Sequence, residues 1–121
     1  MSEHQIQSEF VRLITEQYPN ILFSATVGGV RLSIGAAQKM KKAGYRRGVP
    51  DVLFFEPRQG YNGLCIEVKK KGGRPSKDQL RWKDDLLARG YFAVVATGLR
   101  ECLDYFNEYF RADLQTGHAQ D

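Results

Sequence analysis

Residues 49–70 read VPDVLFFEPRQGYNGLCIEVKK, and this stretch decides the fold. Val49-Pro50 can open an extended segment, because a proline at the first position of a strand costs little ladder hydrogen bonding. Asp51 to Phe55 then reads as a strand. Asn62-Gly63 is a strong hairpin-turn signal, and Leu64 to Lys70 reads as the returning strand. Alternation along it puts Leu64, Ile66 and Val68 on one face and Cys65, Glu67 and Lys69 on the other. One face can bury against a helix while the other presents chemistry.

The flanking segments supply the helices. Residues 4–18 place Ile6, Phe10, Leu13 and Ile14 at helical spacing, and Pro19-Asn20 ends the run. Residues 21–23 form a short strand candidate. Gly28-Gly29 breaks the pattern, and residues 24–32 carry no clear periodicity. A basic helix is expected over 34–43. After the loop Gly72-Gly73-Arg74-Pro75, Ser76 and Gln79 have capping-box spacing and launch a helix that reaches Gly90. Residues 91–97 contain the apolar run Phe92 to Ala96, a buried strand that Gly98 ends. A last helix over 100–114 is expected to bury Leu103, Phe106, Tyr109 or Phe110, and Leu114, and the tail QTGHAQD reads as frayed. The order helix, strand, helix, hairpin, helix, strand, helix describes one α/β domain over residues 1–121, layered around a mixed sheet. It contains no repeat and no linker.

Composition narrows the class. The 121 residues suffice for one compact domain that buries about two-thirds of its unfolded surface. With 42% hydrophobic and 26% charged residues, wholesale disorder is excluded. No apolar run approaches a membrane span, and the polar start SEHQIQSEF is unlike a signal peptide. Cys65 and Cys102 have neither metal-site nor disulfide-framework spacing, which fits a reducing cytoplasm. His4 and His118, near opposite ends, have no partner at zinc-ligand spacing. Gly28-Gly29 and Gly72-Gly73 lack the Lys-Ser/Thr of an ATP-binding loop.

The formal net charge of +4 is unevenly spread. Residues 31–83 hold 14 Lys or Arg against four acids, whereas residues 84–121 hold three against seven. A block of this kind favours a polyanionic partner, with salt-sensitive attraction to phosphates. Arg31, Lys39, Lys41, Lys42, Arg46 and Arg47 are candidate backbone contacts, joined by Lys70, Lys71, Arg74 and Lys77. Tyr45 is either a packed aromatic or a platform for an exposed base.

Within this basic field the acids carry the chemistry. Pairing of the hairpin strands brings Asp51 and Glu67 within reach of one cation. Hard oxygen donors suit Mg²⁺ or Mn²⁺, with the Val68 carbonyl as a further ligand. Lys69 points to the same face as Glu67, where an ammonium can hold an attacking water or stabilise charge developing on phosphate. A metal, an oriented water and positive charge are what phosphodiester hydrolysis needs. The bland readings are an aspartate satisfying nearby amides and a wet strand face carrying Glu67 and Lys69.

Pro50-Asp51 followed by Glu67-Val68-Lys69 resembles the motif of the PD-(D/E)xK nuclease superfamily. The longer set Gly44-Tyr45-Arg46-Arg47-Gly48-Val49-Pro50-Asp51-Val52-Leu53, then Leu64 to Lys69, then Gly73-Arg74-Pro75-Ser76 with Gln79, then Gly90-Tyr91, is similar to the VRR-NUC branch. Members occur as small standalone proteins of phages and bacteria. The resemblance implies a restriction-endonuclease-like core, a central mixed β-sheet flanked by helices. It also implies an Mg²⁺-dependent endodeoxyribonuclease, with Mn²⁺ substituting, acting in the cytoplasm of a bacterial or phage-infected cell.

By the same resemblance Glu9 on the first helix reaches the metal, Asp51 and Glu67 ligate it, and Lys69 and Gln79 complete the catalytic group. Gln79 has a second expected use, closing the capping box with Ser76. The family's Asn-Gly-Gly element reads Val27-Gly28-Gly29 here, without the Asn. Standalone relatives resemble Holliday junction resolvases, implying a homodimer on branched DNA. Leu99, Tyr105, Phe106 and Phe110 are candidates for its interface, although a buried intramolecular face explains them nearly as well. Two other functions fit the residues: a non-catalytic nucleic-acid-binding module, and a nuclease subunit that needs a partner protein. Nothing in the sequence rejects an RNA substrate.

Overall fold

A computed structural model describes residues 1–27 and 31–116, with side chains through Arg111. Gly28-Gly29, the side chain of Leu114 and His118 lie outside the described residues. The elements are α1 (Glu3–Gln17), β1 (Phe23–Ala25), α2 (Ile34–Lys42), β2 (Val52–Phe54), β3 (Leu64–Lys69), α3 (Lys77–Ala88), β4 (Phe92–Thr97) and α4 (Gly98–Thr116). The strands form one sheet in the order β1-β2-β3-β4. β1–β2 and β2–β3 pair antiparallel, and β3–β4 pair parallel through the α3 crossover. This is a mixed sheet flanked by helices, a restriction-endonuclease-like α/β fold. Among the described residues no helix is long and apolar enough to cross a membrane.

Period-3.6 patterning in α1 and α4 and period-2 patterning in the sheet meet in one core. Ile6, Phe10 and Ile14 of α1 and Cys102, Phe106, Tyr109 and Phe110 of α4 cover Val52, Phe54, Leu64, Ile66, Val68 and Ala96. Phe54 is the hub, with ring centroids of Phe10, Phe106 and Phe110 at 6.2, 5.6 and 6.0 Å. The buried Tyr109 hydroxyl donates to the Glu56 carbonyl at 2.6 Å and accepts from the Arg58 amide at 3.2 Å, so no polar atom is stranded there.

The candidate dimer residues belong to this core. Phe106 is 0% and Phe110 1% exposed, and Leu99 and Tyr105 pack against the same cluster. The sheet's inner face, rather than a second copy, claims them, so the interface assignment is corrected to an intramolecular one.

Two further expectations change. The tight turn of the hairpin is Gln59-Gly60, with φ of 53° and 84°, bracketed by mutual Arg58–Tyr61 backbone bonds of 3.3 and 2.8 Å. Asn62-Gly63 does other work. Asn62 binds the end of α3 through the carbonyls of Arg89 (2.9 Å) and Gly90 (2.8 Å). At Gly63 a Cβ would stand 2.6 Å from the Phe54 carbonyl oxygen. The second change concerns β3, which is buried along its whole length, Cys65, Glu67 and Lys69 included, while α3 packs on the neighbouring β4 and reaches Glu67 through Gln79. Burial raises the thiols of Cys65 to about 11 and of Cys102 to about 12, leaving both inert at neutral pH.

Candidate active site

The site begins with strand register. Val52 stands opposite Ile66, so the same antiparallel register sets Asp51 opposite Glu67 and Pro50 opposite Val68. Residues directly opposite share a face, with Cβ atoms about 5 Å apart. On the other side of β2, Phe55 donates to Leu22 (2.9 Å) and Asp51 accepts from Thr26 (2.8 Å), so the odd residues of β2 bond to β1 and the even ones turn to β3. Val68 therefore faces Pro50, which has no N–H. Its amide donates instead to Asp51 Oδ2 at 2.7 Å, and its carbonyl meets no ladder donor from residue 50. Thr26 Oγ1 holds the Pro50 carbonyl at 2.8 Å and fixes this corner.

Four side chains converge beside Asp51. Glu67 and Asp51 stand close enough to interact directly, and both are buried. Lys69 Nζ lies 3.7 Å from Glu67 Oε2 and 3.8 Å from Glu3 Oε1. Gln79 Nε2 donates to Glu67 Oε2 at 2.8 Å, while its Oε1 accepts from the Ser76 amide, also at 2.8 Å. Both expected uses of Gln79 are thus realised in one side chain. Burial, and then the neighbouring Asp51, pushes the Glu67 carboxyl up to about 8. Burial raises Asp51 as well, opposed by the Val68 amide.

Glu67 Oε1 is completely buried and receives no hydrogen bond from an amide, hydroxyl or cation of the fold, and the Glu67 carboxyl has the Asp51 carboxyl beside it to share a proton with. An orphaned carboxylate oxygen costs several kcal/mol unless something positive meets it. With the adjoining Asp51 carboxylate and the Val68 carbonyl, which Pro50 cannot serve, it forms an all-oxygen donor set fitted to a hard divalent cation. Among the described residues no three His, Cys, Asp or Glu side chains close on one point. The chain offers two carboxylates and a backbone oxygen, leaving coordination for water and phosphate.

Glu9 is not brought to this group. It is held by the Arg12 guanidinium, which also binds Glu16, and that contact keeps its carboxyl below the usual range. Six residues along a helix rotate a side chain by about 240°, so Glu9 and Glu3 leave α1 in different directions. Glu3 is the acid of α1 that reaches the site. The overlooked signal was Ser2 with Gln5, a full capping box that starts α1 at Glu3 rather than at residue 4.

The basic residues ring this centre from outside. Lys70, Lys71 and Arg74 are exposed on the β3–α3 connection and Lys77 at the start of α3, and Lys39, Lys41, Lys42, Arg46 and Arg47 are exposed on α2 and the loop after it. Gly48, at φ 98°, packs so closely on α3 that a Cβ would lie 2.6 Å from the Asp78 backbone. Trp82 Nε1 donates to the Arg47 carbonyl at 3.1 Å from the same helix. Asp51 is therefore fed from a loop docked on α3, the helix that also supplies Gln79.

Comparison with known proteins bears on the family and the fold. The VRR-NUC domain family matches residues 1–99. A solved structure described as a VRR_NUC domain protein superimposes with a TM-score of 0.76 at 24% identity, covering 92% of this chain and 89% of that one. Another, described as a VRR_NUC domain, gives 0.58 at 21% identity, covering 90% and 99%. These two likenesses bear on the fold, and no curated protein matches. With most of its length matched by that nuclease family, and its motif acids set side by side at the start of β2 and on β3, the chain belongs to the VRR-NUC domain family.

Proposed function

We propose that this chain is a divalent-metal-dependent endonuclease that hydrolyses DNA phosphodiester bonds, with branched DNA as its preferred substrate. Beside Asp51, the buried Oε1 of Glu67, met by no amide, hydroxyl or cation of the fold, is the observation that carries the metal dependence. Asp51, Glu67 and the Val68 carbonyl would hold Mg²⁺ or Mn²⁺. A cation bound there supplies Lewis-acid activation of the phosphate and of a water molecule. Gln79 holds Glu67 in place through Oε2, leaving Oε1 free to ligate. Lys69, buried between Glu67 and Glu3, presents a fixed ammonium to charge that develops on phosphorus-bound oxygen. Glu3 tethers that ammonium from α1. The surrounding lysines and arginines hold the polyanion and carry no part of bond breaking.

The branched-DNA and homodimer parts of this reading rest on the family resemblance and on symmetry, since two copies can put two sites on opposite strands. With Phe106 and Phe110 committed to the core, a dimer uses another surface. The test is a cleavage panel of linear, flap and four-way DNA with Mg²⁺ and Mn²⁺, with Glu67→Ala as control. Metal-dependent cutting that the substitution abolishes while DNA binding persists is expected. Cutting at the native rate by pure Glu67→Ala protein overturns the assignment. Binding without cleavage of any substrate favours the non-catalytic module.

A further inference from the structure

α2 stands apart from the core: none of its residues is buried, and Ile34 is 80% exposed. Between it and α3 run two adjoining hollows that share Arg46, Arg47 and Asp78 in their walls. The one toward α3, about 390 Å³, adds Arg81, Trp82 and Arg89. The one toward α2, about 910 Å³, adds Tyr45 and Lys41 over an apolar floor of Leu32, Ile34 and Ala37. The groove therefore combines guanidinium groups with two aromatic rings and an uncovered aliphatic surface. Asp78 and Asp85 also line it, but Asp78 is paired with Arg81 at 3.8 Å, and cations outnumber acids.

We propose that this groove is a track for a single-stranded DNA segment of the substrate, its bases on Tyr45 and Trp82 and its phosphates on Arg46, Arg47, Arg81 and Arg89. Duplex DNA presents phosphates and buries its base faces, so it would match the charge and leave the rings and the aliphatic floor unused. An unpaired strand offers both surfaces at once, and base–aromatic stacking contributes energy regardless of sequence. The loop that lines the groove also runs on to the carboxylates. Arg47 is four residues from Asp51, a span of at most about 14 Å of chain. Trp82 holds the Arg47 carbonyl at 3.1 Å, so the same loop borders both the groove and the site. An acidic peptide would satisfy the arginines but has no planar groups to fill the aromatic positions. The inference deepens the nuclease reading and rests on it for the identity of the strand.

Trp82 is the single tryptophan of the chain, so its fluorescence reports directly from the groove. Full-length protein in EDTA is titrated with oligothymidylate of roughly ten nucleotides, comparable to the span of a single-strand-binding module. Parallel titrations use an abasic strand of the same length, blunt duplex and polyglutamate, with binding followed independently by anisotropy. Oligothymidylate is expected to quench Trp82, while the abasic strand and the duplex bind with little quenching. Tyr45→Ala is expected to weaken oligothymidylate binding about tenfold and abasic binding less than twofold, the size of one lost stacking contact, with Tyr45→Phe restoring it. The proposal is overturned by oligothymidylate binding without quenching, by equal quenching from the abasic strand or the duplex, or by polyglutamate binding as tightly with the same signal. No divalent ion is present, so a groove that binds this way in a protein that never cuts DNA refutes the nuclease reading alone.

Discussion

Gln79 reaches Glu67 and Ser76 with the two ends of one amide: Nε2 to Glu67 Oε2 and Oε1 to the Ser76 amide, both at 2.8 Å. The start of α3 and the orientation of a buried carboxylate are thereby one structural element. Substitutions can separate them. Gln79→Ala loses both, with a capping loss of about 1 kcal/mol and cleavage reduced tenfold or more. Gln79→Glu keeps an acceptor for the Ser76 amide but sets a carboxylate against Glu67. Its helix cap is kept, so any loss of melting temperature should come from the opposed carboxylates and be greatest at alkaline pH, while cleavage falls as far as in Gln79→Ala. Equal activity of Gln79→Glu and wild type would show that the contact with Glu67 has no catalytic consequence.

The two acids of α1 give a second contrast. Glu3 lies 3.8 Å from Lys69 Nζ and near the Lys70 amide, whereas Glu9 is engaged by Arg12. Glu3→Gln is expected to lower cleavage several-fold by freeing the lysine head, whose charge is worth little if it is not fixed. Glu9→Gln is expected to leave the cleavage rate within about twofold, since it breaks only an exposed pair. Single-turnover rates on one substrate measure both. The reverse ranking would return the metal-site role to Glu9.

Asp51, Glu67 and Lys69 were legible in the sequence because strand alternation and the antiparallel register are arithmetic: once two strands pair, opposite residues share a face. The core helices were legible from Ile6, Phe10 and Ile14 for the same kind of reason. Glu3 was not, because its place depends on where the first helical turn begins, and the Ser2–Gln5 box sits outside the apolar periodicity. Asn62-Gly63 misled because its turn preference was overridden by contacts with Arg89 and Gly90, far along the chain. Gln59, with a left-handed φ of 53° and no glycine-like signal, took the turn instead. The burial of the Glu67 face was hidden as well, since it depends on tertiary packing around β3, including the reach of Gln79 from α3, that no local pattern reports.

The acid pair should make the metal-free protein pH-sensitive. Glu67 titrates near 8 in the folded chain against 4.5 in a model peptide, so the folded state retains a proton that the unfolded state has released. Stability is therefore full below the unfolded value and falls as pH rises toward 8, by on the order of a few kcal/mol. Thermal melts in EDTA at acidic and alkaline pH read this directly, and Glu67→Gln should flatten the profile and raise the melting temperature at the alkaline end. A native profile that is flat or rises with pH across this range would mean that Glu67 is charged in the folded metal-free state.

Gly48 offers the most local test of how the fold delivers Asp51. Its φ of 98° is a conformation that L side chains rarely adopt, and a Cβ would approach the Asp78 carbonyl carbon and oxygen to 2.6 and 2.7 Å. Those atoms are helix backbone and cannot swing aside as a flexible side chain would. In Gly48→Ala the loop must lift from α3, weakening the Trp82–Arg47 bond and moving Pro50 and Asp51 from their places opposite Val68 and Glu67. The expected cost is about 2 kcal/mol or more in stability. Cleavage should fall further than thermal destabilisation alone explains, because the chemistry depends on sub-ångström placement of Asp51. Gly44→Ala is the matched comparison: its φ is 110°, but no atom lies within 4 Å of the added carbon. It should show the backbone strain without the displacement, and so retain most of its cleavage activity. Comparable loss of cleavage in both variants would mean that loop strain, rather than the packing of Gly48 on α3, governs the position of Asp51.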